Sequence, residues 1–115
     1  MSVHRILIVD DNEDHGQTLR LMLARPDREI QYATNPLYAL DLVTRWRPHV
    51  IFLDIGLPDM DGYQAAQRFR RALPDVRLYA ITGLADHADR QRAMAAGFDD
   101  HFRKPLDPTA LERVL

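Results

Sequence analysis

The chain reads as an α/β domain: a doubly wound sheet of five parallel strands in the order 2-1-3-4-5, covered by helices on both faces. Three observations predict it. Strand-like and helix-like patterns alternate five times along 115 residues, with short connections and no low-complexity or linker segment. Two strand segments, Ile6-Leu7-Ile8-Val9 and Val50-Ile51-Phe52-Leu53, are apolar without alternation, as a parallel strand is when helices cover both its faces. Reactive polar groups also cluster at strand ends: Asp10-Asp11 after the first, Asp54 after the third and Lys104-Pro105 after the fifth. Parallel strands gather their C-terminal ends along one edge, where an open α/β sheet takes its ligand.

The first strand spans about Arg5 to Asp10, and a helix follows from about Glu13 to Ala24, with Leu19, Met22 and Leu23 on one stripe and Pro26 closing it. Ile30 and Tyr32 alternate with polar neighbours as a half-exposed strand. Pro36 opens a helix carrying Leu37, Leu40, Leu42 and Val43 up to Trp46, and Pro48 marks the next boundary. After the strand ending at Leu53 comes a loop, Ile55 to Asp61, then a helix from Gly62 to Ala72 with Asp61 and Gln64 as a capping-box variant. Val76 to Ile81 makes the fourth strand. Asp86 caps a helix reaching Ala96, and Gly97 ends it as a left-handed residue does. Phe98 to Arg103 is the fifth strand, polar enough for a sheet edge, and Asp107-Pro108 starts the last helix.

Length and composition describe one ordinary domain over residues 1–115, large enough to bury roughly two-thirds of its unfolded surface. A net charge of -2 offers no broad attraction for nucleic acid or acidic membrane, so direct DNA binding is not expected. The absence of cysteine excludes disulfides, thiolate metal sites and thiol catalysis, and is compatible with a reducing cytoplasm. The longest apolar stretch is too short to cross a bilayer and no secretory signal opens the chain, so a cytoplasmic protein without membrane insertion is expected.

In a 2-1-3-4-5 sheet the winding reverses between the first and third strands, so the crevice opens beside Asp10, Asp11 and Asp54. Each carboxylate alone would also serve as a cap for the helix that follows it. Together they pose an electrostatic problem, because two carboxylates about 4 Å apart repel by roughly 4 kcal/mol at an effective dielectric of 20. A hard divalent cation such as Mg2+ answers it, using one or two carboxylates and a phosphoryl oxygen. A carboxylate beside such an ion and an ammonium group can attack a phosphoryl group, since that transfer needs alignment and charge neutralisation above all. Asp54 is the candidate acceptor. Asp10, Asp11 and the Gly56 carbonyl are candidate metal ligands with it, Lys104 is the neutralising cation, and the Thr82 hydroxyl is a hydrogen-bonding partner for the same group.

These residues resemble the receiver domain of two-component response regulators over essentially the whole chain. The matching segments are Ile8-Val9-Asp10-Asp11-Asn12, Leu53-Asp54-Ile55-Gly56-Leu57-Pro58-Asp59-Met60-Asp61-Gly62, Ile81-Thr82-Gly83 and Lys104-Pro105. The resemblance implies that Asp54 accepts phosphate from a histidine kinase or histidine phosphotransfer protein and that Asp10 and Asp11 bind magnesium. It implies phosphoryl contacts for Thr82 and Lys104, and a cis bond between Lys104 and Pro105. Output would pass to an unidentified downstream protein through the surface of the fourth helix, fifth strand and fifth helix. Segments 54–71 and 97–105 resemble receivers of hybrid sensor kinases or single-domain proteins.

Three positions depart from the common pattern. His101 stands where receivers most often carry an aromatic switch residue; a histidine can swing likewise, with an added pH dependence, or simply face solvent from an edge strand. Asn35-Pro36 replaces a small turn residue, and Leu84 replaces a polar one near the mouth of the site. Elsewhere, Arg68, Arg70 and Arg71, like Arg90 and Arg92, read as solvated faces, and Trp46 and Tyr63 as packing residues. His4 and His49 precede central strands and can meet at the end opposite the acidic groups. Two other readings compete: an interaction module with this fold that works without phosphorylation, and a nucleotide- or flavin-binding enzyme of flavodoxin-like topology. The second lacks a glycine-rich phosphate loop, since Asp10-Asp11-Asn12-Glu13-Asp14 follows the first strand.

Overall fold

The computed structural model describes residues 4–55, 62–83 and 87–115, with backbone alone over 87–90. Its elements follow in strict alternation: β1 (His4–Val9), α1 (Glu13–Leu23), β2 (Arg28–Ala33), α2 (Pro36–Trp46), β3 (Val50–Asp54), α3 (Gly62–Ala72), β4 (Arg77–Thr82), α4 (His87–Ala95), β5 (Asp100–Arg103) and α5 (Pro108–Glu112). The strands form one parallel sheet in the order β2-β1-β3-β4-β5, as the apolar runs and the strand–helix alternation predict. The two featureless apolar runs, β1 and β3, pair at its middle with Val9 opposite Leu53, and the more polar β2 and β5 are the edges.

Period two along each strand divides the core into two layers. Leu7, Val9, Ile51, Leu53, Leu78 and Ala80 face one way and pack with Ala39, Leu42 and Val43 of α2, Ala65, Ala66 and Phe69 of α3, and Ala93 and Ala96 near α4. Ile6, Ile8, Val50, Phe52, Tyr79 and Ile81 face the other way, against Leu19 and Leu23 of α1 and Leu111 of α5. Trp46 and Tyr63 pack against the first layer, as expected of them. Arg28, at the start of β2, grips both oxygens of Glu112 at 2.8 and 2.7 Å and ties an edge strand to α5.

Local chemistry sets the boundaries. Asn12 caps α1 by accepting from the backbone of Asp14 and His15, so the cap is the asparagine and not either aspartate before it. The Asn35-Pro36 pair has a plain mechanical role: Asn35 Oδ1 accepts from Tyr38 N at 2.8 Å and Pro36 occupies the first helical turn. Asp107-Pro108 starts α5 in the same way. Gly97 has φ of 107°, the left-handed stop that its place after a helix predicts. Gly62 lies against Ile55 so closely that a Cβ would sit 2.9 Å from the Ile55 Cα, which explains a glycine at the start of α3. Asp61 and Asp86, expected as caps, lie outside the described residues.

Two expectations need correction. The fifth strand begins at Asp100, because Phe98 N bonds Ala93 O and the Phe98 side chain completes the helix end inside the core instead of joining the sheet. Arg70 is not part of a solvated face. Its guanidinium reaches from α3 to the carbonyls of Pro74 at 3.1 Å and Gly97 at 2.7 Å, to the Asp99 carboxylate at 3.0 Å, and to the carbonyl of Val76. Arg68 and Arg71 on the same helix are exposed, whereas Arg92 is exposed but stacks 4.2 Å over the Tyr63 ring.

Candidate functional site

The C-terminal ends of β1, β3 and β4 bring together three buried polar side chains at the otherwise apolar centre of the sheet. Asp10 is 7% exposed, Asp54 5% and Thr82 3%. Strand pairing accounts for their meeting: Asp10 follows Val9, which lies beside Leu53, and Asp54 lies beside Ile81, one residue before Thr82. Asp10 N still bonds Ala33 O at 3.1 Å on the far side, holding the residue in line with the sheet after β1 ends. Lys104 enters from β5, where Lys104 N donates to Thr82 O at 2.8 Å, and its Nζ reaches Asp54 Oδ2 at 2.7 Å. The Lys104–Pro105 peptide bond is cis.

Electrostatics of the site are those of surplus negative charge. Burial pushes the Asp10 carboxyl above the ordinary aspartate value, and the charge of Asp54 pushes the same way. The bond from Asn12 N to Asp10 Oδ1 at 2.9 Å, with Lys104 and His15 nearby, pulls it partly back. The donor set offered by Asp10 and Asp54 is oxygen only, which suits a hard dication that keeps several waters. Among the described residues, no three histidine, aspartate or glutamate side chains are drawn together as a metal cage. Asp54 bonds Lys104, Asp10 accepts from the Asn12 backbone and lies near His15, and Asp11 is exposed. Gly56 lies outside the described residues, as does Leu84.

His15 is the participant that sequence reasoning missed. Its Nδ1 lies 3.5 Å from Asp10 Oδ2, because the first turn of α1 folds back over the strand end. The available signal was the asparagine cap at Asn12, which fixes where that turn begins. A groove of about 280 Å³ runs beside it, lined among others by Thr18, Leu19, Lys104, Pro105 and Leu106. His101 is tucked in from solvent, its side chain 20% exposed and its Nδ1 buried without a hydrogen-bond partner among the described residues, 3.7 Å from Asp100 Oδ1.

Comparison with known proteins agrees with this geometry. The family model described as the response regulator receiver domain matches residues 6–115. The chain is 36% identical to an uncharacterized 14.6 kDa protein of Leptolyngbya boryana, covering 96% of this chain and 86% of that protein. It is 32% identical to the response regulator MprA of Mycobacterium sp. (strain KMS), covering 96% of this chain but 47% of MprA, so it spans about half the length of that relative. Among solved structures, the signal receiver domain of a DNA binding response regulator from Colwellia psychrerythraea 34H superposes with a TM-score of 0.89 at 32% identity, over 96% of this chain and 93% of that one. A response regulator of Burkholderia pseudomallei, solved with a phosphorylated aspartic acid and a calcium ion, gives 0.88 at 28% identity, over 96% of this chain and 65% of that one. With its sheet order, its buried aspartates and its lysine following the last strand, the chain belongs to the response regulator receiver domain family.

Proposed function

We propose that residues 1–115 form a phosphoacceptor receiver unit in which Asp54 takes a phosphoryl group from a phosphohistidine of a histidine kinase or histidine phosphotransfer protein. One observation carries this reading: Asp54 is a nearly buried carboxylate held 2.7 Å from Lys104 Nζ, beside a second buried carboxylate, at the crossover between β1 and β3. The N–P bond of the donor breaks as a bond forms from an Asp54 carboxylate oxygen to phosphorus. The electron pair returns to the imidazole nitrogen, which takes up a proton.

Asp10, Asp11, Asp54 and the Gly56 carbonyl would hold Mg2+, which when bound offsets the charge of the transferring oxygens. Lys104 serves as a point charge on the incoming group, and the Thr82 hydroxyl donates to it. Added charge of about -1.5 to -2 draws both inward. Moving a balance from 1:99 to 99:1 takes about 5.5 kcal/mol, within reach of a few charge-assisted contacts formed only in the active state. The change would be read on the surface of α4, β5 and α5, with His101 following Thr82 as the switch side chain. The molecule is a signalling domain rather than a turnover enzyme. Among the described residues no helix is long and apolar enough to cross a membrane; we place the domain in the cytoplasm, where phosphohistidine donors arise.

Intact-mass measurement after incubation with Mg2+ and a small phosphodonor tests the reading. Wild type should gain one phosphoryl group and Asp54→Asn none. An unmodified wild type with both a small donor and a kinase would instead favour an interaction module.

A further inference from the structure

At the opposite end of the sheet lies a cavity of about 540 Å³, lined among others by His4, Arg5, Arg47, His49, Asp75 and Arg77. That volume lies within the roughly 300–1,000 Å³ typical of small-molecule sites. Its polar side chains are nearly all donors. Arg77 Nη2 meets His4 Nε2 at 2.9 Å, and since a guanidinium only donates, that nitrogen accepts and the His4 proton sits on Nδ1. Arg5 N donates to His49 Nδ1 at 3.0 Å, so the His49 proton sits on Nε2. The two rings stand 5.5 Å apart. Each neutral imidazole therefore keeps one N–H beyond its arginine-side bond.

The cationic charge is also poorly matched. Arg28, Arg45 and Arg70 each pair with a carboxylate, while Arg5, Arg47 and Arg77 pair with none among the described residues. Arg5 spends its guanidinium on the Arg47 carbonyl at the end of α2, and Arg77 reaches the Val114 carbonyl at 2.8 Å. Among the lining side chains, three arginines face Asp75 and a helix-end partial charge of about -0.5, and with Asp27 acting on His4 from outside the lining the balance is still positive. Burial and the neighbouring arginines both push His4 and His49 below the ordinary histidine value, as a positive potential requires.

We propose that this cavity binds a small molecule bearing one or two phosphate groups, its oxygens taken by Arg47 and Arg77 and by the His4 and His49 N–H groups. Guanidinium geometry suits phosphate oxygens, and an anion supplies the acceptors that the cavity lacks. This site is remote from Asp54 and needs no dication.

The test is NMR titration of the intact chain in EDTA, following the His4 and His49 ring protons while adding inorganic pyrophosphate or ADP at constant ionic strength. The proposal expects saturable shifts, a rise in the pKa of both histidines, and silence at Lys104. Arg47→Gly, which suits the left-handed backbone at φ of 56°, should weaken binding about tenfold or more, the loss of one charge-assisted contact. Equal affinity for both probes means the phosphates alone are read, and tighter ADP means the remaining volume is used; either supports the site. Shifts that do not saturate, or that chloride reproduces at matched ionic strength, would overturn it.

Discussion

Lys104 Nζ and Asp54 Oδ2 meet at 2.7 Å across fifty residues of chain, joining the loop after β5 to the end of β3 at the centre of the sheet. The pair is asymmetric: the Asp54 side chain is 7% exposed and that of Lys104 is 37% exposed. Replacing the lysine therefore takes a cation away from a nearly buried carboxylate that has Asp10 as a like-charged neighbour. Lys104→Met should lower stability in EDTA by about 1 kcal/mol, the scale of losing one charge-assisted contact that solvent screens on the Lys104 side. Urea unfolding should show the loss, and saturating Mg2+ should reduce it.

Neutralising the other carboxylate should act in the opposite direction. The Asp10 pKa is raised on folding, so the folded state binds that proton more readily than the unfolded chain does. The stabilising contribution is present below the ordinary aspartate value and is lost as pH rises through the raised one, leaving a penalty at neutral pH. Asp10→Asn keeps an oxygen to accept from Asn12 N and removes the charge. Its Tm in EDTA should rise by a few degrees, equivalent to roughly 1 kcal/mol in a chain of this size. With Mg2+ the ranking should narrow or invert, because only wild type gains fully from ligand binding.

Histidine protonation at the far end should set the acid limb of stability. His4 and His49 both have lowered pKa values in the fold and both accept hydrogen bonds as neutral rings. The stability they contribute is present above the unfolded value of 6.5 and is lost as pH falls through the depressed folded values. Gln and Asn carbonyls can replace the accepting nitrogens without titrating. The double variant His4→Gln/His49→Asn should therefore flatten the loss of Tm below pH 6.5, measured by thermal unfolding across buffers.

Arg70 should prove a major structural arginine. It bonds to three backbone carbonyls and to Asp99, which in turn accepts from Leu78 N at 2.8 Å. Arg70→Ala should cost about 2 kcal/mol in chemical denaturation, the scale of losing charged hydrogen bonds to part-buried carbonyls. Arg70→Lys should recover only part, since a single ammonium cannot span the same acceptors. Arg71→Ala, on the exposed side of α3, should change stability by less than about 0.5 kcal/mol.

What could be read from the residues was what depends on local pattern. The unbroken apolar runs Ile6–Val9 and Val50–Leu53 identified the buried strands, and with them the sheet order and the meeting of Asp10, Asp54, Thr82 and Lys104 at one edge. Gly97 marked its helix end because only φ, not a distant partner, decides it. Contacts set by tertiary placement were not legible. Arg70 looks like its neighbours Arg68 and Arg71 until Gly97 and Asp99 arrive from the connection between α4 and β5. The Asn12 cap marks where the turn carrying His15 begins, but the packing of that turn over the end of β1, which brings the ring to Asp10, is tertiary. Phe98 continues the apolar character of a strand in sequence, yet the bond from its N to Ala93 O commits it to the helix end.

Locating the phosphoryl group on the chain tests the central claim most directly. After reaction with a phosphohistidine donor in Mg2+, the acyl phosphate can be reduced with borohydride and the altered residue found by peptide mass mapping. The account predicts reduction at Asp54 alone, abolished by EDTA. Label on Asp10 or Asp11 in its place, or none on any aspartate, would contradict it.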